Sequence, residues 1–130
     1  MPDLMMESQE RGDVMVIYPR GFINAHTVRE FERELERSVE SGRTQIVING
    51  SGLSYIASAG LGVIRGHLEE VRFQGGDIRL TDLNETVLNI FEVLGFNHLC
   101  RVFDSEADAV ASYTGSSTPD RKGNKDSKNS

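Results

Sequence analysis

Any chemistry in this chain would gather around Ser58. It stands in the stretch Leu53-Ser54-Tyr55-Ile56-Ala57-Ser58-Ala59-Gly60-Leu61-Gly62, after a β-rich run ending at Asn49 and before an amphipathic helix expected over about residues 59–73. A serine at a helix start can do two things. Its hydroxyl can accept a backbone N–H of the first turn and cap the helix, which is the structural role such a position favours. It can instead point to solvent at the positive end of the helix dipole, where a phosphate is stabilised.

No catalytic apparatus accompanies this serine. The chain has no Gly-x-x-x-x-Gly-Lys loop, and Gly60-Leu61-Gly62 with Gly66 matches a dinucleotide-binding glycine run only loosely. Ser58 is flanked by Ile56 and Gly60, so it is not in a Gly-x-Ser-x-Gly elbow. His26, His67 and His98 lack paired metal-ligand spacing. His67, next to Glu69 and Glu70 on the polar side of its helix, reads as a solvated surface residue. The acidic residues are spread over helices, with no isolated inward-facing pair of the kind glycoside chemistry uses. The expectation is a non-enzymatic binding or switch module, without cofactor, catalytic residue or metal.

Charge narrows the partners. The net charge is −6, and the last 17 residues, from Thr114, carry four basic and two acidic side chains, so the preceding 113 carry about −8. An acidic body of this kind is unsuited to non-specific nucleic-acid binding or to docking on anionic lipid. No apolar run approaches the length of a membrane span. The single cysteine, Cys100, excludes an intrachain disulfide. In the apolar run His98 to Phe103 it reads as a small buried hydrophobe. With no signal peptide in view, a reducing, cytoplasmic compartment is expected.

The elements that must position Ser58 follow from periodicity and punctuation. Gly12-Asp13 between two β-compatible runs predicts a hairpin, its second strand ending at Pro19 or placing that residue on an edge. Thr27, or Asn24 upstream, is a helix N-cap candidate, and Glu30 completes a capping-box spacing with Thr27. Val28, Phe31, Leu35 and Val39 then mark the apolar face of a helix to about Ser41. The charged remainder of that helix reads as a solvated face. Thr44 to Asn49 reads as a buried strand. In the Ser58 helix, Leu61, Ile64, Leu68 and Val71 face inward, and the glycines leave its start uncluttered. A strand over Ile78 to Thr81 follows, then a helix over Leu83 to Leu94 with Asn84 as N-cap, Gly95 as terminator and Leu83, Val87, Ile90, Phe91 and Leu94 inward. A short strand over Leu99 to Phe103 and a final helix capped by Asp104 or Ser105 complete the pattern.

The order β-β-α-β-α-β-α-β-α predicts an α/β domain over residues 1–113: a small mixed, mostly parallel sheet faced by about four helices. Residues 114–130 lack apolar anchors and are expected to be a disordered polar tail.

Ser58-Ala59-Gly60-Leu61-Gly62, between a strand and a helix, resembles the Asp-Ser-(Ser/Thr/Ala)-Gly-Leu-Gly signature of the STAS family, specifically its stand-alone anti-sigma factor antagonists. Gly21, Thr27, Ile46 to Asn49, Gly75-Gly76 and Phe91-Leu94-Gly95-Phe96 support the resemblance, which covers about residues 4–113. It implies a partner-switching regulator that binds an anti-sigma factor of the GHKL-type serine kinase class. The kinase would phosphorylate Ser58 and a PP2C-type phosphatase would reverse the step. Asn24, Ala25, Thr27, Ser54, Ala57, Ala59, Gly60 and Leu61 are the implied contact surface. Two positions depart from the family pattern. Ala57 replaces the usual aspartate, and Gly21-Phe22-Ile23-Asn24 replaces a Gly-Glu-(Leu/Ile)-Asp loop, so three carboxylates are missing around Ser58. The same resemblance also accommodates a STAS scaffold, or a regulator of a process outside transcription such as secretion. A small-molecule-binding α/β domain is the reading from a different class.

Overall fold

In a computed structural model, residues 3–114 are described; the tail expected from residue 114 lies, beyond Thr114, outside them. Thr114 itself is the C-cap of the last helix.

The elements run β1 (Leu4–Arg11), β2 (Val14–Ile23), α1 (Val28–Glu40), β3 (Gln45–Asn49), β4 (Leu53–Ile56), α2 (Ser58–Phe73), β5 (Asp77–Thr81), α3 (Glu85–Val93), a 3₁₀ turn (Phe96–His98), β6 (Val102–Phe103) and α4 (Glu106–Tyr113). The sheet has the order β1-β2-β3-β5-β6, with β4 pairing β2 beyond the end of β3. The hairpin is antiparallel, and the remaining pairings are parallel. The mixed, mostly parallel sheet and its four helices are as expected.

Two strand expectations are corrected. β2 does not stop at Pro19. It pairs with β3 over Val14 to Ile17 and with β4 from Gly21 onward, so Pro19 falls in a stretch that pairs only with β1. A residue without an N–H is tolerated where a ladder is interrupted. β4 is the second. Four residues with no period-2 alternation do not read as a strand, because Ser54 is an extra residue in the ladder: Gly21 is opposite Leu53 and Phe22 opposite Tyr55. This bulge leaves Leu53 and Ile56 buried and Ser54 and Tyr55 exposed.

The sheet divides two cores. On one face α1, α2 and α3 pack over Ile17, Ile46, Ile48, Ile78 and Leu80. On the other, α4 covers Val14, Val16, Val47 and Phe103. β3 therefore reads as a continuous apolar run because it is buried on both sides. Phe31, Leu35, Leu61, Ile64, Leu68 and Val71 point inward as the helical spacing predicts. Leu94 does not. It is 59% exposed, because α3 ends at Val93 and Gly95 turns the chain through φ 73°. Cys100 is buried, and loss of hydration pushes its thiol up to about 12, so it is an inert core residue.

His67 overturns the solvated-surface expectation. Its side chain is only 12% exposed, tucked between α2 and α1 near Glu32.

Candidate functional site

The site lies where β2 and β4 end side by side. Their parallel pairing brings Ile23 opposite Ile56, and Ala57 N–H donates to the Ile23 carbonyl at 2.8 Å. The loop after β2, carrying Asn24, Ala25 and Thr27, is thereby held against the start of α2, carrying Ala57, Ser58 and Ala59.

The β2–α1 loop is fixed from within. Asn24 Oδ1 accepts from the N–H groups of His26 and Thr27, and Thr27 Oγ1 accepts from Asn24 N–H and donates to the Phe22 carbonyl. Thr27 is the N-cap residue by position, yet it makes no side-chain cap bond. The capping box with Glu30 is not formed, because the hydroxyl is used to close the loop behind it. Thr27 is buried, whereas Ala25 and His26 face solvent and Asn24 is half-buried. Thr27 therefore shapes the contact surface rather than lining it.

At α2 the N-cap is Ala57, in an extended conformation, and Ser58 is the first residue of the helix proper. Ser58 does not cap. Its side chain is exposed, and its hydroxyl makes no hydrogen bond among the described residues. Gly60 N–H and Leu61 N–H both reach the Ala57 carbonyl, while the N–H groups of Ser58 and Ala59 are among those a helix start leaves without intrahelical partners. No acidic side chain occupies the first turn. Ser58 thus presents a free hydroxyl at an uncompensated positive helix end, the arrangement in which added phosphate is accommodated.

Gly60 is fixed by packing. A Cβ there would lie 2.7 Å from both Ile23 Cγ2 and Ile56 Cγ1. Gly60 and Leu61 are buried, so they hold α2 onto the ends of β2 and β4 rather than offering contact area. Ser54 is exposed at the bulge, with its hydroxyl donating to the Gly21 carbonyl at 3.0 Å. Tyr55, 46% exposed in the same bulge, is a surface aromatic beside these residues that the sequence did not single out. Alternation would bury it with Leu53, and only the irregular register turns it outward. Phe22, opposite Tyr55, is half-buried.

Among the described residues, no helix is long and apolar enough to cross a membrane.

With this geometry in view, the chain can be placed among known proteins. The STAS domain profile matches residues 5–109. A Bordetella bronchiseptica protein, BtrV, named as an anti-sigma factor antagonist, is 31% identical over 94 residues, which is 72% of this chain and 81% of BtrV. The unphosphorylated anti-sigma factor antagonist SpoIIAA superposes with a TM-score of 0.74 at 22% identity, over 87% of this chain and 99% of that one. Phosphorylated SpoIIAA from Bacillus superposes with a TM-score of 0.64 at 21% identity, over 84% and 99%. The chain belongs to the STAS domain family.

Proposed function

We propose that this chain is an anti-sigma factor antagonist acting in the cytoplasm as a binding switch, without enzymatic activity of its own. Its partner is an anti-sigma factor that is also a GHKL-type serine kinase. Ser58 is the residue that kinase phosphorylates, and a PP2C-type phosphatase restores the hydroxyl. The observation that carries the reading is the state of Ser58: exposed, first in its helix, and with a side chain that makes no hydrogen bond among the described residues. BtrV's name and the solved phosphorylated form of SpoIIAA support it.

Phosphorylation adds about −1.5 to −2 charges to a group that is neutral beforehand. The N-terminus of α2 tolerates that charge, so the domain stays folded and the change is felt at the partner surface. A partner pocket that already holds nucleotide phosphate would repel it. Asn24, Ala25, Ser54, Tyr55 and Ala59 form the surface on which the partner reads the difference, and Ala57, Gly60, Leu61 and Thr27 hold that surface in shape.

The test is incubation with ATP and a GHKL-type serine kinase from the gene neighbourhood, followed by mass mapping. Phosphate is expected on Ser58 and absent from Ser58→Ala. Ser58→Ala should bind the kinase as the unmodified chain does, and Ser58→Asp should bind about tenfold or more weakly, as a charge opposed at an interface does. Equal affinity of the two variants, or phosphate mapped elsewhere, would overturn the assignment.

A further inference from the structure

The geometry points to a divalent transition-metal site between α1 and α2, formed by Glu32, Glu36 and His67, with zinc(II) as the ion it fits. One ligand atom from each residue lies within 4.8 Å of the other two. Spacing along the chain conceals the group. The glutamates are one turn apart on α1, and the imidazole comes from the neighbouring helix.

The imidazole is already oriented as a ligand. His67 Nδ1 lies 3.0 Å from the Val63 carbonyl oxygen. A carbonyl can only accept, so Nδ1 carries a hydrogen and donates it. In the neutral ring Nε2 is then left as a lone pair, 4.0 Å from Glu32 Oε2. A backbone carbonyl holding the distal ring N–H is the support metal-binding histidines generally have. The ring is also nearly enclosed, with 12% of its side-chain surface exposed, so it has little freedom to turn away.

Among the described residues neither Glu32 nor Glu36 pairs with an arginine or lysine, and Arg37 on the same helix is taken by Glu34 at 2.6 Å. Three electron-pair donors therefore converge with no hydrogen among them, a grouping that a cation stabilises. One imidazole with two carboxylates suits zinc(II) and its transition-metal neighbours, whereas magnesium and calcium favour sites built of oxygen alone. Ligand bonds of about 2.0–2.2 Å require the donors to draw closer by about an ångström. Glu32 is 42% exposed and Glu36 is exposed, so both can swing toward the fixed ring. The bound ion would join α1 to α2, the two helices whose starts flank Ser58.

The inference does not rest on the switch reading. It is tested by calorimetric titration of the untagged, chelator-treated chain with zinc(II), alongside magnesium and calcium. One equivalent of zinc is expected to bind saturably, and neither alkaline-earth ion should. Affinity should fall about tenfold or more in His67→Ala and in the Glu32→Gln/Glu36→Gln pair, both checked for native circular dichroism, while His98→Ala at an exposed position should match the parent. Cobalt(II) in place of zinc should give a visible spectrum that His67→Ala loses. Absence of saturable zinc binding, or unchanged affinity in folded His67→Ala or in the glutamate pair, would overturn the site.

Discussion

Two kinds of helix start coexist in this molecule. At α3, Asn84 Oδ1 accepts from Val87 N–H at 2.8 Å and its Nδ2 donates to the Leu53 carbonyl, so the cap also ties the helix to β4. At α4, Ser105 Oγ accepts from Asp108 N–H, and Glu106 and Asp108 place negative charge in the first turn. At α2 the N-cap is an alanine, the first turn has no acid, and a serine stands one position later with its hydroxyl unused. The first two starts are complete in themselves, with side-chain acceptors and charge matched to the dipole. The third is left open at the point where the chain would meet a partner. At the Ser58 surface the loop and the strand ends are held by hydrogen bonds and packing, while the helix start itself carries neither a side-chain cap nor a first-turn acid.

The largest disturbance should come from beneath the open start. Gly60→Ala places a Cβ 2.7 Å from two isoleucine side chains and is expected to cost about 1–3 kcal/mol, read by denaturant unfolding. Gly66→Ala, with nothing within 4 Å, should instead stabilise by about 0.5–1 kcal/mol. If both changes behave alike, packing at Gly60 does not set the position of α2.

Next is a completed start. Asn84→Ala removes the cap of α3 and its tie to β4, with an expected loss of about 1–2 kcal/mol. A loss no larger than at an ordinary surface site would remove the contrast between the two kinds of start.

Glu106 supplies the pH-dependent version of the comparison. Burial alone would raise its carboxyl, but hydrogen bonds from Asn49, Tyr18 and Arg11 outweigh that and hold it below the ordinary carboxylate range. Its folded value is thus below its unfolded one. The stability it contributes is complete above the unfolded value and is lost as pH falls through the folded one. Glu106→Gln should cost about 1 kcal/mol at pH 7, and the gap from the parent should close as both are unfolded at progressively lower pH. A gap that widens in acid would reverse the assigned sign.

The smallest effect sharpens the contrast by erasing it. Ala57 already has the extended backbone of an N-cap, so Ala57→Asp should supply the missing acceptor and raise stability by about 0.5–1 kcal/mol. An unchanged unfolding midpoint would mean that the open start carries no stability deficit.

Much of this was legible in the chain. The hairpin, the buried β3, the inward faces of α1 and α2, the Asn84 cap and the Gly95 terminator depend on local periodicity and turn chemistry, which a sequence displays directly. Ser58 was visible as a helix-start serine, but its exact place was not. A cap and a first helical residue differ by one position, and the pairing of β4 with β2 decides between them. Tyr55 was hidden because a single bulge residue, Ser54, reverses which side chains reach the core. His67 was misjudged because the flanking Glu69 and Glu70 mark a polar face, whereas the packing of α1 against α2 encloses the ring. In each of these cases the deciding contact joins residues far apart in sequence.

The change of partner along β2 has a consequence in time as well as in space. The β1–β2 hairpin closes across Gly12-Asp13, so its ladder forms at little cost in loop entropy. The β4 ladder must bring together residues such as Ser54 and Gly21, which are 33 positions apart, and it contributes only a few pairs in return. The Ser58 surface is therefore expected to form after the hairpin, and its short ladder to be less costly to release than the eight-pair hairpin. A brief detachment of β4 from β2 would loosen the Ser58 surface while the rest of the sheet keeps its register. Hydrogen exchange at Ala57 N–H should accordingly outpace exchange at Ile17 and Val16.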